Sequence, residues 1–410
     1  MEVVQASHSP RFFARQIIGI LSKMELGRLE MRLPGGTLQT FGNGSGEGAY
    51  MEVKSWNFFR RLVLYGDVGF GESFVAGEWE TDSIARVISF FVSNYRDNPA
   101  ISGGSGKKVF LNLLRGLNRV NHLVRANSRS MSEKNIHEHY DLSNDFFSLF
   151  LDESMTYSSG IFENPEMTLS EAQINKYETL ARSCSIKPGQ EVLEIGCGWG
   201  SNAILLAQKF GAKVRGITIS RQQYDYSLKK VQAAGLSEQI SIEFCDYRDV
   251  KGSFDHIVSV EMLEAVGDRY FDVYFKKCSE LLKHGGSLGF QVITCPDSRY
   301  AEIRDGIDWI QKHIFPGSLL PSVARINQAV NNTGKLNLTS LKEFGSSYAK
   351  TLNLWHRNFD AKKEAVLALG FDEPFIRKWK YYLGYCEAAF AMKNIYVMQM
   401  VYREPNFPVL

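Results

Sequence analysis

Three alternate glycines, Gly196, Gly198 and Gly200, follow a short apolar run in the segment VLEIGCGWG, residues 192–200. Glycine has no side chain to hold a turning backbone away from a ligand. A loop of this kind between a strand and a helix therefore lets the main chain, here including Cys197, approach a bound small molecule closely. The spacing is not the GxGxxG of dinucleotide sites. Glu194, two residues before the first glycine, can pair with a cationic amino-acid head group, which S-adenosylmethionine carries and NAD lacks. A glycine-rich turn without any cofactor is the plain alternative, and the strand before the loop and the helix after it argue against it.

Further candidates lie at the ends of the next two strands. Nucleotide-binding folds often hold the ribose hydroxyls with a carboxylate after the second strand, but Ile217, Thr218, Ile219 and Ser220 offer none there. A hydroxyl of Thr218 or Ser220, or the amide of Gln223, could serve as a neutral hydrogen-bond partner. After the third strand, Asp246 with Tyr247 and Arg248 is placed to meet an adenine.

These residues need elements to position them, and from about residue 168 the pattern is regular. Thr168 and Glu171 are spaced as a capping box, opening a helix that ends before Pro188 and Gly189. Short apolar runs at 191–195, 213–219, 240–245, 254–260 and 287–293 read as strands, with helices between most of them. The fold class is therefore α/β, a doubly wound and mostly parallel, Rossmann-like sheet with ligands beyond the carboxyl ends of the strands, which with the S-adenosylmethionine reading of Glu194 and the glycine loop is the class I methyltransferase type. Residues 1–105, with a glycine-rich turn region at 34–47, read as a smaller α+β domain, and ISGGSG at 101–106 has linker composition. Residues 131–410 form the catalytic domain. Between them, residues 106–130 read as a basic amphipathic helical connector. Phe110, Leu113, Leu114, Leu117 and Val124 recur at helical spacing, and Lys107, Lys108, Arg115, Arg119, Arg125 and Arg129 meet no acidic residue between Asn98 and Ser132. Such a helix either packs on the domain or is drawn to an anionic lipid surface.

The whole chain excludes several classes. Its 410 residues exceed one ordinary core, and 44% hydrophobic residues suit a globular protein. A formal net charge of +2 and the absence of a recognition signature argue against nucleic acid. The six cysteines show neither a CxxC pair nor metal-ligand spacing, so reduced thiols and no metal are expected. No apolar run reaches the roughly 20 residues of a bilayer-spanning helix, and no secretory signal is read. The expected location is the cytoplasm.

Several segments carry a specific resemblance: HYDLSNDFFSLFLDESMTYSSGIF from His139, VLEIGCGWG, GITISRQQ from Gly216, MLEAVG from Met262, WIQKHIFPGSLLPS from Trp309 and YYLGYCEAAF from Tyr381. Over roughly residues 130–405 the chain resembles the cyclopropane-fatty-acyl-phospholipid synthase family, related to the mycolic acid cyclopropane synthases. The resemblance implies methyl transfer from S-adenosylmethionine to the double bond of an unsaturated phospholipid acyl chain, giving a cyclopropane. It implies a lipid-handling N-terminal domain and a place at the inner face of the membrane; a homodimer stays open. Cofactor contacts are implied for Tyr157 and Ser158, the glycine loop, Thr218 to Gln223 and the Tyr247–Arg248 pair.

The same resemblance implies a bicarbonate ion as proton acceptor, held by Glu264 and Tyr382 with a backbone contact at Ile293. Methyl transfer leaves a carbocation on the acyl chain, which aromatic faces can stabilise before a base removes a proton. Two positions depart from the family's pattern: Ser159 stands where a bicarbonate-binding cysteine is expected, and Gln291 where a histidine is. Both retain hydrogen bonding but alter the electrostatics, which leaves open a methylene-branched product that a separate reductase could convert to a methyl branch. Cys386 matches a cysteine once regarded as catalytic, although no step needs a thiol and core packing accounts for it. Glu264 could equally be a solvated helix-start residue and Tyr382 a packing aromatic. A methyltransferase of small soluble molecules and an inactive lipid-binding protein are the rival functions.

Overall fold

The computed structural model describes residues 10–94 and 142–405; the linker and the basic connector read from the sequence lie outside them. The first part opens with helix α1 (Pro10–Leu21) and continues with strands β1 (Leu29–Arg32), β2 (Leu38–Phe41) and β3 (Ala49–Val53). Helix α2 (Asn57–Val75), strand β4 (Trp79–Glu80) and helix α3 (Ile84–Ser93) complete it. β1 and β2 form the hairpin expected of the glycine-rich region, and β1 also pairs in parallel with β3, giving the order β2-β1-β3-β4. Leu29 and Met31, two residues apart, are fully buried, as period-2 alternation demands of a sheet with one covered face. Ser83 caps α3 by accepting the Arg86 N–H at 3.2 Å.

The second part begins with the short helix α4 (Asn144–Ser148) and then α5 (Leu169–Cys184), whose Thr168–Glu171 capping box is formed as read. Strands and helices alternate through β5 (Glu191–Ile195), α6 (Ser201–Phe210), β6 (Lys213–Thr218), α7 (Arg221–Ala233), β7 (Ile240–Phe244) and β8 (Phe254–Val260). Helix α8 (Phe271–Leu281) leads into β9 (Leu282–Thr294), which starts five residues before the apolar run that marked it, in the polar stretch Lys283–Gly286. Then follow α9 (Tyr300–Asp305), α10 (Trp309–His313), α11 (Val323–Asn331), β10 (Asn337–Glu343), α12 (Gly345–Ala361), α13 (Lys363–Ala368), α14 (Glu373–Ala391) and β11 (Tyr396–Arg403).

The seven strands of the large sheet run in the order β10-β11-β9-β8-β5-β6-β7. β5 to β9 are parallel, and β11 and β10 are antiparallel additions at one edge. The order reverses between β5 and β8, the switch point beyond which such sheets bind ligands. One apolar cluster on a face of the sheet gathers residues of α8 and α11, another gathers residues of α5 and α6. A third runs without a break from the small sheet into the segment between β10 and β11, joining Phe58, Phe70 and Trp79 to Trp355, Trp379 and Tyr381. Two glycines permit this contact. A Cβ on Gly71 of α2 would lie 2.5 Å from the Trp309 ring, and one on Gly384 of α14 would lie 2.7 Å from Cβ of Ile84. The small domain is thus a lid packed on α14.

Candidate active site

The carboxyl ends of β5, β6 and β8 open into a cavity of about 1760 Å³. At its floor Gly196 has φ +79°, and a Cβ there would meet Cγ of Met262 at 2.9 Å. Gly198 also takes a positive φ, while Gly200 sits behind the wall as the N-cap of α6. Glu194 is buried. Its Oε1 accepts from Asn202 Nδ2 at 2.9 Å and its Oε2 has no hydrogen-bond partner. Burial pushes its carboxyl up to about 8, against the opposing pull of Asn202 and Lys176. A buried acid so raised takes its charge when a cation arrives beside it.

Beyond the loop, Thr218 Oγ1 donates to Gln223 Oε1 at 2.9 Å, which fixes the amide and leaves its nitrogen as a donor at the cavity wall. Ser220 does not face the cavity; it caps α7 by accepting the Gln223 N–H. Arg248 folds back onto Asp246, with Nε at 2.8 Å and Nη2 at 2.6 Å, so the Tyr247–Arg248 pair presents a neutralised cation and a ring. Tyr157 and Ser158 also line the cavity. Ser158 Oγ accepts from the buried Lys176 Nζ at 2.6 Å, and Tyr157 OH donates to Tyr382 OH at 2.9 Å.

Of the residues expected to be catalytic, Glu264, Ile293, Tyr382 and Cys386 line the cavity. Glu264 Oε1 accepts the Ile293 N–H at 2.6 Å and its Oε2 is unpartnered. Burial first, and the charge of Glu261 second, push its carboxyl up to about 8. Ser159 and Gln291 lie behind the cavity wall, and both grip Glu261, a residue the sequence reading passed over. The Ser159 N–H reaches its Oε1 at 2.9 Å, Gln291 Nε2 the same oxygen at 2.7 Å, and the Tyr348 hydroxyl its Oε2 at 2.7 Å. The hydroxyl on this carboxylate is therefore that of Tyr348, whereas Tyr382 pairs with Tyr157. Sequence held one signal for Glu261, an acidic residue directly after β8; its φ of +49° was visible only in the fold. Nothing in the pattern of α5 marked Lys176 as buried.

Aromatic faces surround the carboxylates. Tyr348 stacks on Phe390 at 4.4 Å between centroids, and Tyr382 meets Phe315 and Trp379 edge-on at 5.9 and 5.4 Å. Cys386 lines the same cavity, and burial raises its thiol far above the ordinary range, so it stays protonated. All six cysteines are free, and among the described residues no group of His, Cys, Asp or Glu could hold a metal ion.

The mycolic acid cyclopropane synthetase family matches residues 127–400. The chain belongs to that family. It is an S-adenosylmethionine-dependent methyltransferase. The chain is 38% identical over 351 residues to the tuberculostearic acid methyltransferase of Mycobacterium tuberculosis, covering 83% of this chain and 79% of that one. It is 33% identical over 370 residues to the cyclopropane-fatty-acyl-phospholipid synthase of Escherichia coli, covering 88% and 89%. Among solved structures, a mycolic acid cyclopropane synthase complexed with S-adenosylhomocysteine and CTAB superposes with a TM-score of 0.62 at 29% identity, over 66% of this chain and 98% of that one. Residues 10–94, the lid, lie outside the matched family region.

Proposed function

We propose that this member of the family methylates a double bond in the acyl chain of an unsaturated phospholipid. The observation that carries the reading is the shape of the cavity. Pockets for one small ligand run roughly 300–1,000 Å³. This one, at about 1760 Å³, has room for a second ligand and continues from the glycine loop into the lid, where Leu21, Leu62, Ile88 and Phe91 line it. An apolar channel beside a cofactor loop suits an alkyl chain whose middle must reach the methyl donor.

The residues present fit S-adenosylmethionine. Glu194, with a buried and unpartnered oxygen, suits the cationic amine; Thr218 and Gln223 suit the ribose; Tyr247 and Arg248 suit the adenine. The cofactor supplies an electrophilic methyl group. The chain's own part is to exclude water from the channel, to face the cation left on the acyl chain with the rings of Tyr348, Tyr382 and Phe315, and to accept a proton beside Ile293. Each such ring contributes on the order of 1 kcal/mol when desolvated.

Two end products share this route. In ring closure, the transferred methyl loses a proton and its electron pair bonds to the cationic carbon. In branching, a hydride first moves from the methylated carbon to its neighbour, and loss of the methyl proton then leaves a methylene group. Ring closure is what the resemblance to the synthases implies. The branch is favoured by the replacements Ser159 and Gln291 and by a relative at 38% identity named as a methyltransferase of tuberculostearic acid. Association with the inner face of a membrane follows from the substrate. Among the described residues, no helix is long and apolar enough to cross one.

Gas chromatography with mass spectrometry of lipids from a host expressing the chain, fed methyl-deuterated methionine, tests the reading. Acyl chains gaining one carbon with two deuterons are expected, and fragmentation separates ring from branch. Labelled acyl chains no more abundant than in the empty host would refute it.

A further inference from the structure

We propose that Glu261 is the proton acceptor of this reaction, a carboxylate of the chain itself serving where the family resemblance implies a dissolved bicarbonate ion. The inference rests on the acyl-methylation reading above and names the base within it. Three donors converge on this one side chain: the Ser159 N–H and Gln291 Nε2 on Oε1, and the Tyr348 hydroxyl on Oε2. Such a set suits an anion with two acceptor oxygens. Ser159 and Gln291 are the two positions at which the chain departs from the expected cysteine and histidine. The departure at 291 and the carboxylate form one unit, because the Gln291 side chain now donates to Glu261, whereas Ser159 holds it through its backbone N–H and turns its hydroxyl to the Gly160 carbonyl.

The backbone supports the same assignment. Glu261 follows the last residue of β8 and takes φ +49°, a left-handed conformation that a residue with a Cβ adopts at a cost. Strain retained at a wall of the cofactor cavity places the carboxylate beside Glu264, Ile293 and Tyr348. Its Oε2 carries one hydrogen bond and so keeps a lone pair free. Burial raises the Glu261 carboxyl, while Lys176, the three donors and their dipoles oppose that shift and favour its charged form. Glu264 accepts one hydrogen bond, from the Ile293 N–H, against three on Glu261, so of the two neighbouring acids Glu261 is the better held as an anion.

The step balances. A C–H bond of the transferred methyl breaks, and its electron pair forms either the third ring bond or the methylene double bond. The proton goes to Glu261 Oε2, and the positive charge of the acyl chain and the negative charge of the carboxylate cancel.

The test uses the full chain on vesicles of unsaturated phosphatidylglycerol and phosphatidylethanolamine, with S-adenosylhomocysteine release as readout. In buffer stripped of carbon dioxide, wild-type turnover is expected to be unchanged. Glu261→Gln should lower turnover by about 10² or more, as losing a general base does, with S-adenosylhomocysteine affinity retained. Glu261→Gly relieves the backbone strain and vacates the anion site; added bicarbonate or formate should restore part of its turnover. Titration of the protein with ¹³C-bicarbonate, followed by NMR, needs no turnover: saturable binding is expected for Glu261→Gly and none for wild type. Wild-type activity that falls on stripping and returns with bicarbonate, or near-normal activity of Glu261→Gln, would overturn the proposal. If no vesicle supports wild-type turnover, the substrate reading fails, and the NMR titration still decides the anion site: saturable binding to wild type overturns the role of Glu261.

Discussion

Glu194 shows how one buried oxygen turns into a measurable proton. Its carboxyl is pushed up to about 8 by burial, so near pH 7 the cofactor-free protein holds it mostly neutral. A cationic amine beside Oε2 favours the ionised form, and binding must then expel a proton. Cofactor affinity should therefore rise as the pH approaches about 8 from below, by nearly tenfold per unit while the acid is mostly protonated. Calorimetry at pH 7 in buffers of different ionisation enthalpy should register close to one proton released, and a value near zero would remove Glu194 from the amine site. At the same scale, Gly196→Val should abolish S-adenosylhomocysteine binding in a folded protein, since a Cβ there already meets Met262 at 2.9 Å and the residue holds φ +79°. Cys386→Ser, by contrast, should keep turnover within a few-fold, because its thiol stays protonated and no step uses it. The sequence made the cavity floor legible at Glu194, Gly196 and Gly198, because glycine spacing and an acid before it are local signals, but it did not show that Gly200 and Ser220 serve as helix caps away from the cavity. It hid the group around Glu261, since Glu261, Tyr348 and Lys176 come from three distant segments and meet only through the fold.

Among the elements, the five parallel strands could be read within a residue or two at most ends, because strands buried on both faces are continuous apolar runs. β10 could not be read this way. It is an edge strand with nearly every residue exposed or half-exposed, so it has no burial pattern to show. The polar start of β9 was hidden for the same reason. The contact of α2 with α10 and α14 was also out of reach of the sequence, since nothing in the pattern of α2 says that Gly71 touches a tryptophan. Gly71→Val should force α2 away from Trp309 and Tyr381, at about 1–3 kcal/mol for overpacking. The expected result is a lowered melting temperature and reduced turnover on lipid vesicles, with S-adenosylhomocysteine affinity unchanged because the residues that Gly71 touches, Trp309 and Tyr381, lie outside the glycine loop. Equal losses of cofactor binding and turnover would show that the lid supports the whole fold rather than the channel.

For the molecule as a whole, the split between residues 1–105 and 131–410 describes the order of elements better than the order of packing. The aromatic core of the lid is continuous with that of α12 to α14. Two regions sharing one core unfold together, so scanning calorimetry should show a single transition whose calorimetric and van't Hoff enthalpies agree. Two resolved transitions would mean that the shared core contributes little to cooperativity.

The placement of α12, α13 and α14 between β10 and β11 bears on how the chain reaches this state. Residues 344–395 leave the sheet from one strand and return to its immediate neighbour, so a 52-residue excursion must close before those two strands can hydrogen-bond. Closing so long a loop is slow, because its entropy is lost before any pairing rewards it. Until then β9 has an open edge, the setting in which a foreign strand can add. Refolding at high protein concentration should therefore divide between native protein and aggregate according to how quickly this excursion collapses onto the lid.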